Sequence, residues 1–273
     1  MSRSRVAELL LAGLCASTTA GAVALSLTPP ARADAPPAPP PPPAPPAPRK
    51  AEPRAGRAGR PVRAWDYDWD RKGAGKEGGG SRTLYLVRHG QYANVDSSDD
   101  DAKHTLTPLG REQAAQTGRR LAALLGSTPV RCVTHSTMTR AAETAALVAQ
   151  ALPGVPLRPC ALLREGAPVR PEPDTWKPRE RDVWADSARI EAAFREHFRR
   201  AEPGEPPAEV VVCHGNVIRF CTLRALQLPP EAWLRLGLAN GSITKVVMRA
   251  DGGVSVHCLG DAGHFEPALI TFN

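Results

Sequence analysis

Cysteine is scarce and never paired at short spacing. The six thiols are Cys15, Cys132, Cys160, Cys213, Cys221 and Cys258, and no two form a Cys-x-x-Cys. That argues against a zinc cage, so no metal is expected. Most of the six sit in apolar runs and read as buried, reduced thiols, which favours a compartment without structural disulfides. No internal repeat is visible, which excludes a solenoid or propeller array. The basic stretch from Arg49 to Arg63 contains no aromatic residue. Platforms on which bases could stack are missing there, so nucleic-acid binding is not expected.

What is present is unevenly spread. The chain has 273 residues, a net charge of +7, 29 prolines and 23 glycines. That length suits one or two domains, and the first 80 residues look unlike the rest. Residues 1–28 read as a membrane anchor or targeting segment. Arg3 and Arg5 precede an apolar stretch, Val6 to Leu27, long enough to span a bilayer but interrupted by Glu8, Ser17, Thr18 and Thr19. Ala31-Arg32-Ala33 offers the other reading, a cleaved secretory signal ending near residue 33.

Residues 29–81 read as a flexible linker. Pro29 to Pro48 is mostly proline and alanine and should run as extended polyproline II. Arg49, Lys50, Arg54, Arg57, Arg60 and Arg63 follow, a charge pattern suited to anionic lipid head groups. Trp65-Asp66-Tyr67-Asp68-Trp69-Asp70 then places three aromatics in a charged region with no core of its own. Exposed aromatics mark contact sites, so a partner or self-association contact is expected over folding back onto the neighbouring domain. Gly73 to Gly80 reads as a second linker.

From Arg82 to Asn273 the pattern is that of one α/β domain. Leu84-Tyr85-Leu86-Val87 is an apolar, β-prone run that stops at Arg88-His89-Gly90 and reads as a buried parallel strand. Gly90 permits a sharp turn close to a ligand. Gln91 to His104 reads as a polar loop with a solvated acidic run, Asp99-Asp100-Asp101. Thr107 and Pro108 suit the cap and first position of a helix, with Ala114, Gly118, Leu121 and Leu125 on one face. Val130 to Thr134 reads as a strand, and an alanine-rich helix runs on to Leu152. An apolar stretch ends at Leu162-Leu163-Arg164-Glu165-Gly166. Ala167 to Arg181 reads as a substrate-covering excursion, and Ser187 to Arg200 as an amphipathic helix. Glu209 to Cys213 is a second buried strand, ending in His214-Gly215-Asn216, and Val217 to Gln227 a further helix. Ile243 to Met248 and Val254 to Leu259 pair around Asp251-Gly252-Gly253 as a hairpin. Strands alternating with helices predict a three-layer α/β/α sandwich with a mainly parallel sheet.

Ligands of open α/β sheets bind beyond the carboxyl ends of strands. Arg88, His89, Arg140, Glu165 and His214 all fall at such ends or at helix starts, and together they suffice for phosphoryl transfer without a metal or cofactor. Guanidiniums grip phosphate oxygens through paired, charge-assisted hydrogen bonds. A neutral His89 imidazole is a competent nucleophile, and neighbouring arginines should keep it neutral. A protonated His214 would donate to the transferring oxygens, and Glu165 would serve as acid and then base. Arg140, in the first turn of a helix, opposes the dipole there unless it faces an anion. Its plainer reading is a surface arginine paired with Glu143.

These residues also carry a family resemblance. Arg88-His89-Gly90, the segment Leu106 to Ala114, and Ser136 to Thr144 resemble the histidine phosphatase (phosphoglycerate mutase-like) superfamily. Leu163 to Pro168, Trp176-Lys177-Pro178, Ala188 to Arg195, Cys213 to Arg219, Trp233 to Leu236 and Asn240 to Thr244 resemble, more narrowly, its mitochondrial serine/threonine protein phosphatases. The resemblance implies a phosphoglycerate mutase-like fold and a phosphohistidine formed on His89. It implies phosphate ligands Arg88, Arg140 and His214, and an acid/base in Glu165. It further implies phosphoprotein substrates, a mitochondrial membrane location, and homo-oligomerisation through Trp65, Asp66, Trp69 and Asp70. Asp68 stands where that motif usually has asparagine.

Three rivals remain at this point. Cys213 to Arg219 fits Cys-x5-Arg, the pattern of cysteine-based phosphatases, though Val212 stands where those enzymes have histidine. The same histidine chemistry serves a mutase or a small-metabolite phosphatase. A non-catalytic oligomeric membrane scaffold is the third, against which stands the presence of every expected catalytic residue.

Overall fold

The computed structural model describes residues 64–73, 80–93 and 100–272. The expected anchor at 1–28, the proline-rich run and the basic stretch lie outside the described residues. Among the described residues no helix is long and apolar enough to cross a membrane.

Six strands form one sheet in the order β3-β2-β4-β1-β5-β6. They are β1 (Arg82–Arg88), β2 (Val130–Ser136), β3 (Leu157–Cys160), β4 (Ala208–Cys213), β5 (Ile243–Met248) and β6 (Val254–Asp261). The first four in that order run parallel, while β5 and β6 are antiparallel additions. The expected mainly parallel sheet is therefore present. Alternation along β1 divides the core in two. Leu84 and Leu86 join Val211 and Cys213 of β4 under helices α3 (Glu180–His197) and α4 (Gly215–Ala225). Tyr85 and Val87 join Val210 and Val212 under α1 (Pro108–Leu125) and α2 (Thr139–Gln150). Helices thus cover both faces, giving three layers.

Local chemistry explains most boundaries. Thr107 Oγ1 accepts from Gly110 N at 3.0 Å and Pro108 opens α1, as the sequence suggested. Helix α3 begins seven residues before the expected Ser187. Its first turns are acidic and exposed, with Trp184 83 % accessible, so they show no apolar stripe until Ile190. The third strand was hidden in the sequence because Leu157–Cys160 is a short, mostly exposed edge containing Pro159. Edges tolerate proline, which cannot donate to a ladder. The stretch ending at Leu163 is instead a single 3-10 turn, Ala161–Leu163.

The aromatic segment before the domain departs most from expectation. Residues 61–273 form one compact unit, and Trp65 and Trp69 pack on the α3–α4 side of the core. Both indole N–H groups donate to one acceptor, the Gly252 carbonyl, at 3.2 and 2.8 Å. Gly252 has φ +89°, and any Cβ there would collide with the Tyr67 carbonyl. Only glycine lets the hairpin turn and the segment lie this close. Asp70 and Arg200, each nearly buried, form a two-pronged ion pair. The segment does have a core to receive it, which the sequence reading had denied. Burial alone would raise the Asp70 pKa, but the hydrogen bonds and charge of Arg200 outweigh it and hold it below 3.8.

Removing the Asp70 charge should strand the Arg200 guanidinium. Breaking a buried pair costs about 3–5 kcal/mol, capped here by the docking energy of the segment. Asp70→Asn should therefore abolish hydrogen-exchange protection at Gly73 and Arg71 while strands β1 and β4 stay protected. The contribution of Asp70 is present above pH 3.8 and is lost as pH falls through its lowered value. Unchanged protection in Asp70→Asn would show that the pair does not hold the segment.

Candidate active site

The parallel register pairs Arg88 with Cys213. The next residue on each strand is a histidine, so His89 and His214 lie side by side with ring centroids 5.1 Å apart. Both are buried, and His89 N donates to the Cys213 carbonyl at 3.0 Å. His89 Nδ1 lies 2.8 Å from the Gly90 carbonyl, an acceptor, so Nδ1 carries the proton. That leaves Nε2 with its lone pair, which accepts from Arg140 Nε at 3.3 Å. Gly90 serves a different purpose from the one expected. A Cβ there would run into the Gly110 carbonyl, so the glycine seats this loop on the start of α1.

Arg140 is buried at the start of α2 and stacks over the Tyr92 ring, 4.7 Å from its centroid. It does not pair with Glu143, which takes Leu106 N and Arg111 instead. Its counter-charge is Asp101, 3.6 Å away. The other Asp101 oxygen accepts from Thr139 N at 2.9 Å. Met138, at the cap position, offers no side-chain bond, so Asp101 caps α2 from a distance. The end of the acidic run is thus part of the site and not a solvated loop. Arg88 is held by the Leu238 carbonyl at 2.6 Å. Burial lowers its pKa to about 10, still charged near neutrality.

His214 Nε2 lies 2.8 Å from Ser136 Oγ at the end of β2. Opposite, Glu165 receives Gly166 N on one oxygen at 3.1 Å and Asn216 N on the other at 3.5 Å. Arg189 of α3 clamps that loop by donating to the carbonyls of Leu162, Arg164 and Glu165, and it pairs with Asp186. Ser136, Arg189 and Asn216 lie in resembling motifs but their roles, like those of Asp101 and Tyr92, were not named from the sequence, because each acts on a group distant in sequence.

The electrostatics divide the site. Burial, then Arg140 and Arg88, push the His89 pKa well below 6.5. The arginines contribute as expected, but desolvation is the larger cause. Burial, then His89 and the two arginines, do the same to His214. Its surroundings thus favour the neutral form of His214, whereas the second histidine was expected to be protonated. Burial raises the Glu165 pKa above 4.5 despite nearby donors and guanidiniums. A neutral nucleophilic nitrogen, two fixed cations and a carboxyl whose pKa burial raises are the parts phosphoryl transfer needs.

Cys213 is not a nucleophile. Its side chain faces the α3–α4 core, and burial pushes the thiol far above its usual pKa of 9.0. Arg219 is spent on the Leu236 carbonyl and Asn216. The remaining described cysteines are free.

With this geometry in place, the chain matches the family model described as "Histidine phosphatase superfamily (branch 1)" over residues 84–168 and 168–261. The chain belongs to the histidine phosphatase superfamily. Within it, the curated relatives it resembles are serine/threonine-protein phosphatases named PGAM5, mitochondrial. The rat protein is 50% identical over 195 residues, covering 70% of this chain and 66% of the relative. The Xenopus tropicalis protein is 48% identical over 195 residues, 70% of this chain and 68% of its own. The Caenorhabditis elegans protein is 44% identical over 202 residues, 72% of this chain and 69% of its own. The chain therefore spans about two thirds of the relatives it matches. Among solved structures, a putative alpha-ribazole-5'-P phosphatase from Escherichia coli aligns with a TM-score of 0.51 at 22% identity. It covers 66% of this chain and 97% of that one, and shows the shared fold.

The pKa directions are directly testable. In imidazole NMR, His89 and His214 should both titrate below pH 6.5, and Arg140→Ala should move the His89 midpoint upward. A wild-type His89 that is protonated at pH 6.5 would remove the neutral nucleophile.

Proposed function

We propose that this protein is a metal-independent serine/threonine protein phosphatase that works through a phosphohistidine on His89. One arrangement carries the reading. His89 commits Nδ1 to the Gly90 carbonyl and turns Nε2 towards Arg140, with His214 alongside and Glu165 close enough to act on the charges of Arg88 and Arg140. The names of the PGAM5 relatives support phosphoserine and phosphothreonine as substrates and mitochondria as the location.

In this mechanism Arg88, Arg140 and His214 hold the phosphoryl oxygens. Nε2 of His89 forms the N–P bond as the P–O bond to serine or threonine breaks. Glu165 gives its proton to the departing alkoxide. A water then attacks phosphorus, Glu165 takes its proton back, and the N–P bond breaks to return His89 and free phosphate. Charge spreads onto oxygens already facing fixed donors, so no metal is needed.

Two further elements of the proposal lie towards the N-terminus. Residues 1–28 attach the protein to a membrane. The Trp65–Asp70 segment mediates homo-oligomerisation, with Tyr67, 53 % exposed, available on its outer side.

Turnover of a phosphothreonine peptide should leave acid-labile phosphate on the wild type and none on His89→Ala. Glu165→Gln should slow turnover by about 10²–10⁴-fold, the usual scale for a lost acid–base group. Activity on phosphoglycerates without activity on phosphopeptides would favour the small-metabolite reading. Light scattering should show large wild-type assemblies and smaller species for Trp65→Ala. Identical masses would separate the segment from assembly.

A further inference from the structure

Away from the catalytic pocket, three chemically different side chains converge where α3 ends beside the sheet edge. Cys160 closes β3, and Glu196 and His197 form the last turn of α3. One donor atom from each, a thiol sulfur, a carboxylate oxygen and a ring nitrogen, lies within 4.8 Å of the others. His197 is 3 % exposed, and neither ring nitrogen makes a hydrogen bond. Its polar neighbours are the Glu209 carboxylate and the Cys160 thiol.

We propose that Cys160, Glu196 and His197 bind a thiophilic divalent cation of the zinc class. Sulfur, nitrogen and oxygen donors together are the ligand set of a tetrahedral zinc site with a fourth position left to water. With bonds of about 2.0–2.3 Å, tetrahedral donors stand roughly 3.5 Å apart. The donors must close from within 4.8 Å, and Glu196 is the exposed member of the three. The outer support is already built. Glu209 Oε1 lies 3.3 Å from His197 Nδ1. Glu209 is itself fixed by Thr134 Oγ1 at 2.8 Å and by the Arg82 guanidinium. A carboxylate on the ring nitrogen that the metal does not use is the recurrent second partner of a metal-bound histidine.

The donors are dispersed in sequence, so the absence of Cys-x-x-Cys excludes only a short-spacing cage. The site owes nothing to the proposed reaction. It would tie the edge strand to the end of α3, one 3-10 turn before Glu165.

The test is a cobalt titration of the full chain under reducing conditions. The wild type should develop sulfur-to-cobalt charge-transfer absorption that saturates at one equivalent and is displaced by zinc. Cys160→Ser should abolish the band. Glu196→Ala, at an exposed position that folding does not depend on, should weaken cobalt binding by about tenfold. His197→Gln should weaken it at least as much. No band in the wild type, a band that survives Cys160→Ser, or unchanged affinity in Glu196→Ala would each overturn the proposal.

Discussion

The in-register parallel pairing of β1 with β4 is the constraint on which the site depends. It sets Arg88 opposite Cys213 and so brings two histidines, remote in sequence, to one edge. Neither strand could slip without loss. A one-residue shift would turn Leu84 and Leu86 from one helix layer to the other and separate the imidazoles. The apolar alternation that stabilises the core is therefore also what aligns the chemistry. Each fully buried aliphatic side chain in these strands contributes about 1.5–3 kcal/mol. Register is held by the sum of many such contacts and not by any bond within the pocket.

That dependence explains how much could be read in advance. His89, His214, Arg88, Arg140 and Glu165 were legible because each follows a β-prone run, opens a helix, or stands in a resembling motif. Strands β1 and β4 were legible for the same reason. Strand β3 was not, since four mostly exposed residues with a proline carry no periodic signal. The supporting groups were also invisible. Asp101 acts by capping a helix 38 residues away, and Arg189 acts by gathering three carbonyls. Such roles depend on where the backbone goes, which local pattern does not encode.

Burial sets the charges of the site. From the sequence, the neighbouring arginines were the expected reason for a neutral His89, and His214 was expected to be protonated. In the folded chain both imidazoles are almost wholly removed from water, and desolvation outweighs the neighbours. The same removal acts on Glu165 in the opposite sense, because there the charged form is the anion. One physical cause thus shifts the histidines towards the neutral form and the carboxyl towards the protonated one.

The docking of Trp65 and Trp69 on Gly252 gives the molecule two poles. Met248 pairs with Arg82 and Ile243 with Val87, so the turn at Gly252 lies at the end of the sheet remote from His89. Seven residues of β1, about 20 Å at strand rise, separate the two ends. The Trp65–Asp70 segment therefore docks at one end of the sheet, and His89 lies at the other. A force applied at Trp65 would be borne first by the β5–β6 hairpin and the Asp70–Arg200 pair, well away from the reacting atoms.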